Sequence, residues 1–210
     1  MEPMCGSGRF LIPLLQEGFD VHGFDASEYM LEALRTKADQ KHLKPTVWHG
    51  FVEELTSTEK YSLIFIPSGS FGHIIDLDTA KNSLKVLHDH LSNDGILVFE
   101  AESSKSVPNQ FGIWRGAVCH KPDGKMIIVN RLTTLEDGVC HSIDKYELVD
   151  SNRITQTEIE TFNVRLYDDP SVLIDMLKAA GFREIRMMKA FDKESSPDIG
   201  AAVTVYECKK

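Results

Sequence analysis

The chain has 210 residues, with 23 Lys and Arg against 32 Asp and Glu and a net charge of −9, which argues against a nucleic-acid protein working mainly through a basic surface. Hydrophobic residues make up 42% and charged residues 26%, with only 14 Gly and 8 Pro, so the chain is neither disordered nor fibrous and reads as one globular domain, 1–210, with an insertion. At this length roughly 70% of the unfolded surface can be buried, so neither a metal nor a disulfide staple is required.

From residue 9 to about 101 helical and strand patterns alternate, the signature of βαβ units around a parallel sheet. Arg9 to Glu17 carries Phe10, Leu11, Leu14 and Leu15 at helical spacing and stops at Gly18. Val21 to Phe24 is a short strand. Ser27 caps the next helix, which has Glu28 in its first turn and an apolar stripe of Met30, Leu31 and Leu34. Thr46 to Trp48 is a weaker strand and Leu63 to Ile66 a fully apolar, buried one. Ala80 to Leu91 is a helix, Asn93-Asp94-Gly95 a turn and Ile96 to Phe99 a strand.

After Ala101 the pattern changes. Pro122-Asp123-Gly124, Glu136-Asp137-Gly138 and Asp150-Ser151-Asn152 are turn signals flanked by β-rich runs, which predicts an antiparallel insertion of about four strands over residues 113–167. Alternation puts Phe162, Val164 and Leu166 on one face of its last strand, and Asn163, Arg165 and Tyr167 on the other. The α/β pattern returns at Pro170 in a helix through Leu173, Met176 and Leu177 that ends at Gly181. Two strands, near Ile185 to Met188 and Ala202 to Tyr206, close the chain as a hairpin. The fold class is therefore α/β, a doubly wound, mostly parallel sheet with a C-terminal antiparallel hairpin and an antiparallel β insertion.

Cys5, Cys119, Cys140 and Cys208 are too far apart for a CxxC pair or a zinc knuckle and read as free thiols in a reducing compartment. With no signal peptide and no long apolar run, a cytoplasmic location is expected.

The chemistry-bearing stretch is Glu2-Pro3-Met4-Cys5-Gly6-Ser7-Gly8, directly before a helix. Its glycines let the backbone turn tightly and approach a ligand while amides converge at the helix N-terminus. Asp25 ends the second strand, seventeen residues after Gly8, where a carboxylate can accept hydrogen bonds from both ribose hydroxyls of a nucleoside, or else cap a helix. A dinucleotide site would want a third glycine, and Leu11 stands in its place.

These residues resemble the class I S-adenosylmethionine-dependent methyltransferases, whose loop has an acidic-x-Gly-x-Gly-x-Gly pattern with an acidic residue ending the next strand. The likeness extends to Tyr61 to Phe71, similar to the family's fourth strand and loop, and to Leu177 to Phe182, similar to its last helix. It implies S-adenosyl-L-methionine as cofactor, with Gly6 and Gly8 beside the methionine part, Asp25 on the ribose, Met30 near the adenine and Glu2 as the acidic loop residue. Met4, Cys5, Ala26, Phe51, Pro67, Ser68 and Phe71 complete the implied binding set. Met4 stands at the family's first glycine. Phe51 stands where many members carry an acidic residue, and suggests an apolar adenine contact.

Ser68 and Phe71 would then face the sulfonium and the acceptor, an aromatic face attracting cations by roughly 0.5 to 2 kcal/mol; Phe71 can equally be a core aromatic. Catalytic candidates are His73, a possible proton acceptor or simply a surface histidine, and Arg165 and Tyr167, where the insertion rejoins the core. These two are preferred over Trp114, Arg115, Arg131 and Tyr146 as acceptor-pocket residues, and Glu158 and Glu160 read as solvated.

The expected activity is in-line methyl transfer to a nitrogen, oxygen or carbon nucleophile of a small-molecule acceptor, without a metal. No nucleic-acid or membrane partner is expected, and a homodimer is allowed. A cofactor-binding protein without activity and a nicotinamide- or flavin-dependent oxidoreductase are the alternatives. Glu2 would end a central strand that has almost no residues before it, so a longer functional form with an upstream strand and helix is expected, the present chain binding cofactor weakly or pairing with a second copy.

Overall fold

The computed structural model describes residues 1–198 and 200–210. In chain order its elements are β1 (Glu2–Pro3), α1 (Leu11–Gln16), β2 (His22–Asp25), α2 (Glu28–Asp39), β3 (Thr46–His49), β4 (Tyr61–Ile66), α3 (Leu77–His90) and β5 (Leu91–Glu102). The antiparallel strands β6 (Arg115–His120), β7 (Met126–Glu136), β8 (Val139–Asp150) and β9 (Arg153–Arg165) follow, then α4 (Pro170–Ala180), β10 (Glu184–Lys189) and β11 (Val203–Lys209).

β1, β2 and β3 pair in parallel, as do β4 and β5, while β11 joins β5 and β10 antiparallel. Met1 links the two groups: its amine donates to the Leu63 carbonyl at 2.7 Å and its carbonyl accepts from the Phe65 amide at 3.1 Å. The order is thus β3-β2-β1-β4-β5-β11-β10. In such a sheet the order reverses between β1 and β4, and ligands bind beyond the strand C-termini at that point.

Alternation along the strands divides the core in two. Ile64, Ile66, Leu97, Phe99 and Tyr206 pack with Leu84 and Leu87 of α3 and Leu173 and Leu177 of α4. On the opposite face Leu11 and Ile12 of α1 and Leu31 and Leu34 of α2 pack with Cys5, Val21, Val47 and Phe65. The stripes differ slightly from expectation. Ile12 is buried while Phe10 is 37% exposed, and α2 buries Leu31, Leu34 and Ala38 but leaves Met30 42% exposed. β4 is not fully buried either: Leu63 is 44% exposed, because the α1 and α2 cluster reaches Phe65 and not Leu63. Asn93-Asp94-Gly95 does not interrupt β5; the register steps from Tyr61↔Leu91 to Leu63↔Ile96, so these residues form a bulge.

Caps fix the helix starts. Ser27 Oγ accepts from the Met30 amide at 3.3 Å, Asp76 Oδ1 from the Thr79 amide at 2.7 Å, and Asp169 Oδ1 from the Ser171 amide at 2.9 Å. α3 accordingly begins at Leu77, a turn before the expected Ala80. Asp137-Gly138 and Ser151-Asn152 all have positive φ, the I′-like geometry that matches strand twist and pins the registers Glu136↔Val139 and Asp150↔Arg153. Among the described residues no helix is long and apolar enough to cross a membrane, and the four cysteines are free.

Gly8 sets how closely the loop, α1 and α2 approach. Its φ is +79°, and a Cβ there would lie 2.8 Å from Leu34 Cγ and 2.9 Å from Ile12 Cδ1. Gly8→Ala should therefore destabilise the fold by about 2 kcal/mol, from backbone strain plus overpacking. Chemical denaturation measures it, and a loss below about 0.5 kcal/mol would contradict this packing.

Candidate functional site

The loop between β1 and α1 turns through three left-handed residues, Met4 (φ +59°), Gly6 (φ +50°) and Gly8. Met4 adopts the backbone of a glycine while carrying a side chain, at a cost of roughly 1 to 2 kcal/mol. Asp25 holds the loop in place. Its Oδ2 accepts from the Gly6 amide at 2.7 Å and its Oδ1 from the Ser27 amide at 2.9 Å, joining the loop to the start of α2. From the last turn of α2, Lys37 Nζ donates to Ser7 O at 3.1 Å and Oγ at 2.7 Å.

Beside Asp25 lies a cavity of about 340 Å³, lined by Met4, Ala26, Gly50, Phe51, Val52, Glu53, His73, Ile74, Ile75, Asp76 and Thr79. It is within the range of small-ligand sites. Five residues anticipated from sequence meet here: Met4, Asp25, Ala26, Phe51 and His73. Phe51, Val52, Ile74 and Ile75 supply apolar walls for a flat ring, and each Asp25 oxygen, already holding one amide, retains a second acceptor site for a hydroxyl. The residues present thus fit a nucleoside. Val52, Glu53 and the Ile74–Thr79 segment were not anticipated, and only the Asp76 cap offered a local signal.

The other anticipated binding residues lie elsewhere. Glu2, Cys5, Gly6 and Gly8 build the loop without lining the cavity, and Pro67 and Ser68 form the turn after β4, with Ser68 at φ +59°. Met30 is exposed on α2, one position off the buried stripe. Phe71 is fully buried, 5.0 Å ring to ring from Phe99 and 6.3 Å from Tyr167. Left-handed Ser68 and Gly69 turn the chain so that the following 3-10 turn drives Phe71 into the core.

A second cavity of about 540 Å³ shares His73 with the first and is otherwise lined by Glu102, Ser106, Val107, Pro108, Arg131, Thr133, Cys140, Ser142, Tyr146, Phe162 and Val164. The antiparallel sheet forms one wall, using the face of β9 that carries Phe162 and Val164. Arg165, on the opposite face, straps loops together, its Nε donating to the Ile75 carbonyl and its Nη1 to the Asp137 carbonyl at 3.2 Å. Tyr167 is past the strand and only 7% exposed. Its hydroxyl has no partner among the described residues, and burial pushes its pKa up to about 12. Neither preferred residue lines this cavity, whereas Arg131 and Tyr146 do.

Glu102, which the sequence reading missed, ends β5 over the turn after β4: a Cβ on Gly69 would lie 2.7 Å from its Oε1. Its Oε2 accepts from Ser106 Oγ at 2.9 Å. His73 Nδ1 is 3.2 Å from the Asn163 carbonyl. That oxygen can only accept, so the neutral imidazole carries its proton on Nδ1 and keeps a lone pair on Nε2.

Residues 1–95 match a family described as Methyltransferase domain. A protein of Geobacillus sp. (strain WCH70) inferred to be a methyltransferase is 25% identical over 107 residues, which are 51% of this chain and 43% of that protein. The match thus spans less than half the length of this curated relative. Among solved structures, an S-adenosylmethionine-dependent methyltransferase from Clostridium acetobutylicum aligns with a TM-score of 0.85 at 19% identity, over 99% of this chain and 82% of the other. A sugar N-methyltransferase from Streptoalloteichus sp. aligns with a TM-score of 0.76 at 17% identity, over 98% and 77%. An amino pentose methyltransferase from Micromonospora echinaspora gives 0.77 at 14%, over 100% and 82%. At these identities the solved structures establish a shared fold.

Proposed function

We propose that this chain is a class I S-adenosylmethionine-dependent methyltransferase, a reading supported by the match of residues 1–95 to a methyltransferase domain and by the shared fold, and that it transfers a methyl group to a nitrogen, oxygen or carbon nucleophile of a small molecule held in the second cavity. The observation that carries this reading is that His73 lines both cavities, one fitted to a nucleoside and the other walled by the antiparallel sheet. S-adenosylmethionine, when bound, supplies an electrophilic methyl group on a sulfonium. Asp25 receives the ribose hydroxyls and Phe51 and Val52 flank the base, while the Met4–Gly8 loop and the Pro67–Ser68 turn border the remaining part. The sugar N-methyltransferase and the amino pentose methyltransferase that share this fold support a small, polar acceptor.

The chain's task is alignment and proton removal. His73 Nε2 accepts the proton that an amine or hydroxyl acceptor releases, and the Asn163 carbonyl holds the imidazole in the required tautomer. Glu102 accepts a hydrogen bond from the acceptor and keeps it over the turn after β4.

Isothermal titration is expected to show binding of S-adenosylhomocysteine and none of NADH; binding of NADH alone would overturn the assignment. His73→Ala is expected to slow label transfer from S-adenosylmethionine into a metabolite extract about 100-fold, a typical general-base contribution. Its affinity for S-adenosylhomocysteine should stay within threefold. A parallel loss in both would make His73 a structural residue.

A further inference from the structure

The acceptor cavity continues outward. Tyr146 also lines an adjoining open cavity of about 410 Å³ with Lys121, Ile127, Leu148, Gln156, Glu158 and Glu160. The registers Val129↔Tyr146↔Glu158 and Arg131↔Asp144↔Glu160 place these residues on the same sheet face as Arg131 and Phe162, so the two cavities form one cleft along it.

The charges along this cleft are unequal in availability. Arg131 is committed to Asp144, which is fully buried: Nε donates to Oδ1 at 2.6 Å and Nη2 to Oδ2, while Tyr146 Oη donates to Oδ2 at 3.2 Å. Lys121 lies 3.9 Å from the Asp123 carboxylate. The carboxylates are different. Glu102 and Glu158 take hydrogen bonds only from the neutral donors Ser106 and Gln156. Among the described residues neither they nor Glu160 has a cationic partner within 4.0 Å. Among the described residues Arg131 is thus neutralised by Asp144, Lys121 keeps a long, exposed contact that leaves its charge largely free, and the three lining carboxylates have no cation; with Asp144 the cleft sets four carboxylates against two cations.

Resting on the methyltransferase reading, we infer that this cleft takes an acceptor bearing more than one amino group, one at Glu102 beside the transferred methyl and another at Glu158 and Glu160, and that it rejects acceptors carrying a diphosphate. A diphosphate needs cations or converging amides, which are its strong partners. Here it would meet carboxylates, and like-charge contact suppresses wrong partners.

The probes are neamine, an amino sugar with several amino groups, and uridine diphosphate glucosamine, an amino sugar with a diphosphate, each titrated with and without S-adenosylhomocysteine. Neamine is expected to bind at least tenfold more tightly at low ionic strength, with the gap narrowing as salt screens the exposed carboxylates. The double variant Glu158→Gln, Glu160→Gln should cut neamine affinity about three- to tenfold; both residues are exposed, so thermal melting checks that it folds. Equal or tighter binding of the diphosphate sugar, neamine affinity unmoved by the double variant, or binding of neither probe to protein that takes S-adenosylhomocysteine would each overturn the inference. Neamine binding by a chain that takes no S-adenosylhomocysteine would overturn the methyltransferase reading and leave the charge preference standing.

Discussion

Asp25→Ala is expected to weaken S-adenosylhomocysteine binding about 100-fold, roughly 3 kcal/mol, the upper range for a charged hydrogen-bonding group. Two effects add. The carboxylate would no longer accept from the ribose, and the Gly6 and Ser27 amides it now holds at 2.7 and 2.9 Å would lose their common anchor. Denaturant unfolding separates them, because the anchor is present without ligand: its loss should cost stability of about 1 to 3 kcal/mol. Asp25→Asn keeps one acceptor oxygen but turns an NH₂ towards a backbone amide, so it should fall between wild type and alanine in both measurements. Affinity that survives Asp25→Ala while stability falls would make Asp25 a loop pin only.

How much of this was legible in sequence depends on how local each signal is. The helices α2 and α4 were readable because Ser27, Pro170 and Gly181 act within one turn, and the hairpins of the antiparallel sheet because Asp137-Gly138 and Ser151-Asn152 specify their own geometry. The Asp25 and glycine-loop relation was readable because strand and helix lengths fix it. What the sequence left open were choices between alternatives that only tertiary packing decides. Alternation divided β9 correctly into two faces, yet it carries no sign, and the cavity uses Phe162 and Val164 rather than Arg165. Phe71 follows a left-handed pair whose direction is invisible in a string containing one serine and one glycine.

The Arg131–Asp144 pair was recoverable. With the turn fixed at Asp137-Gly138, counting back five residues from Glu136 and forward five from Val139 puts Arg131 opposite Asp144. That register argument locates the polar platform of the second cavity before any side chain is placed. Glu102 gave no such signal, because β5 runs past the expected Phe99 and only its extension brings Glu102 over Gly69.

Glu2→Gln is expected to stabilise the protein increasingly as pH rises. Glu2 is 2% exposed, its Oε2 has no partner among the described residues, and burial pushes its carboxyl from 4.5 up to about 8. Between those values the folded chain holds a proton that the unfolded chain has released, so stability from this group is fully present below 4.5 and is lost as pH rises through 8. The slope is at most about 1.4 kcal/mol per pH unit, several kcal/mol across the window. The Met1 ammonium opposes it: burial lowers its pKa from 8.0 to about 6, which makes stability rise with pH between those values. Wild type should therefore lose stability from about pH 4.5 to 6 and vary little from 6 to 8. Glu2→Gln removes the first trend and keeps the second, so the difference in unfolding free energy between variant and wild type should be near zero at pH 4.5 and several kcal/mol in favour of glutamine at pH 8.5. Urea unfolding at stepped pH measures this difference. A pH-independent difference would mean that Glu2 stays ionised in the folded protein, with a counter-charge at the base of the glycine loop.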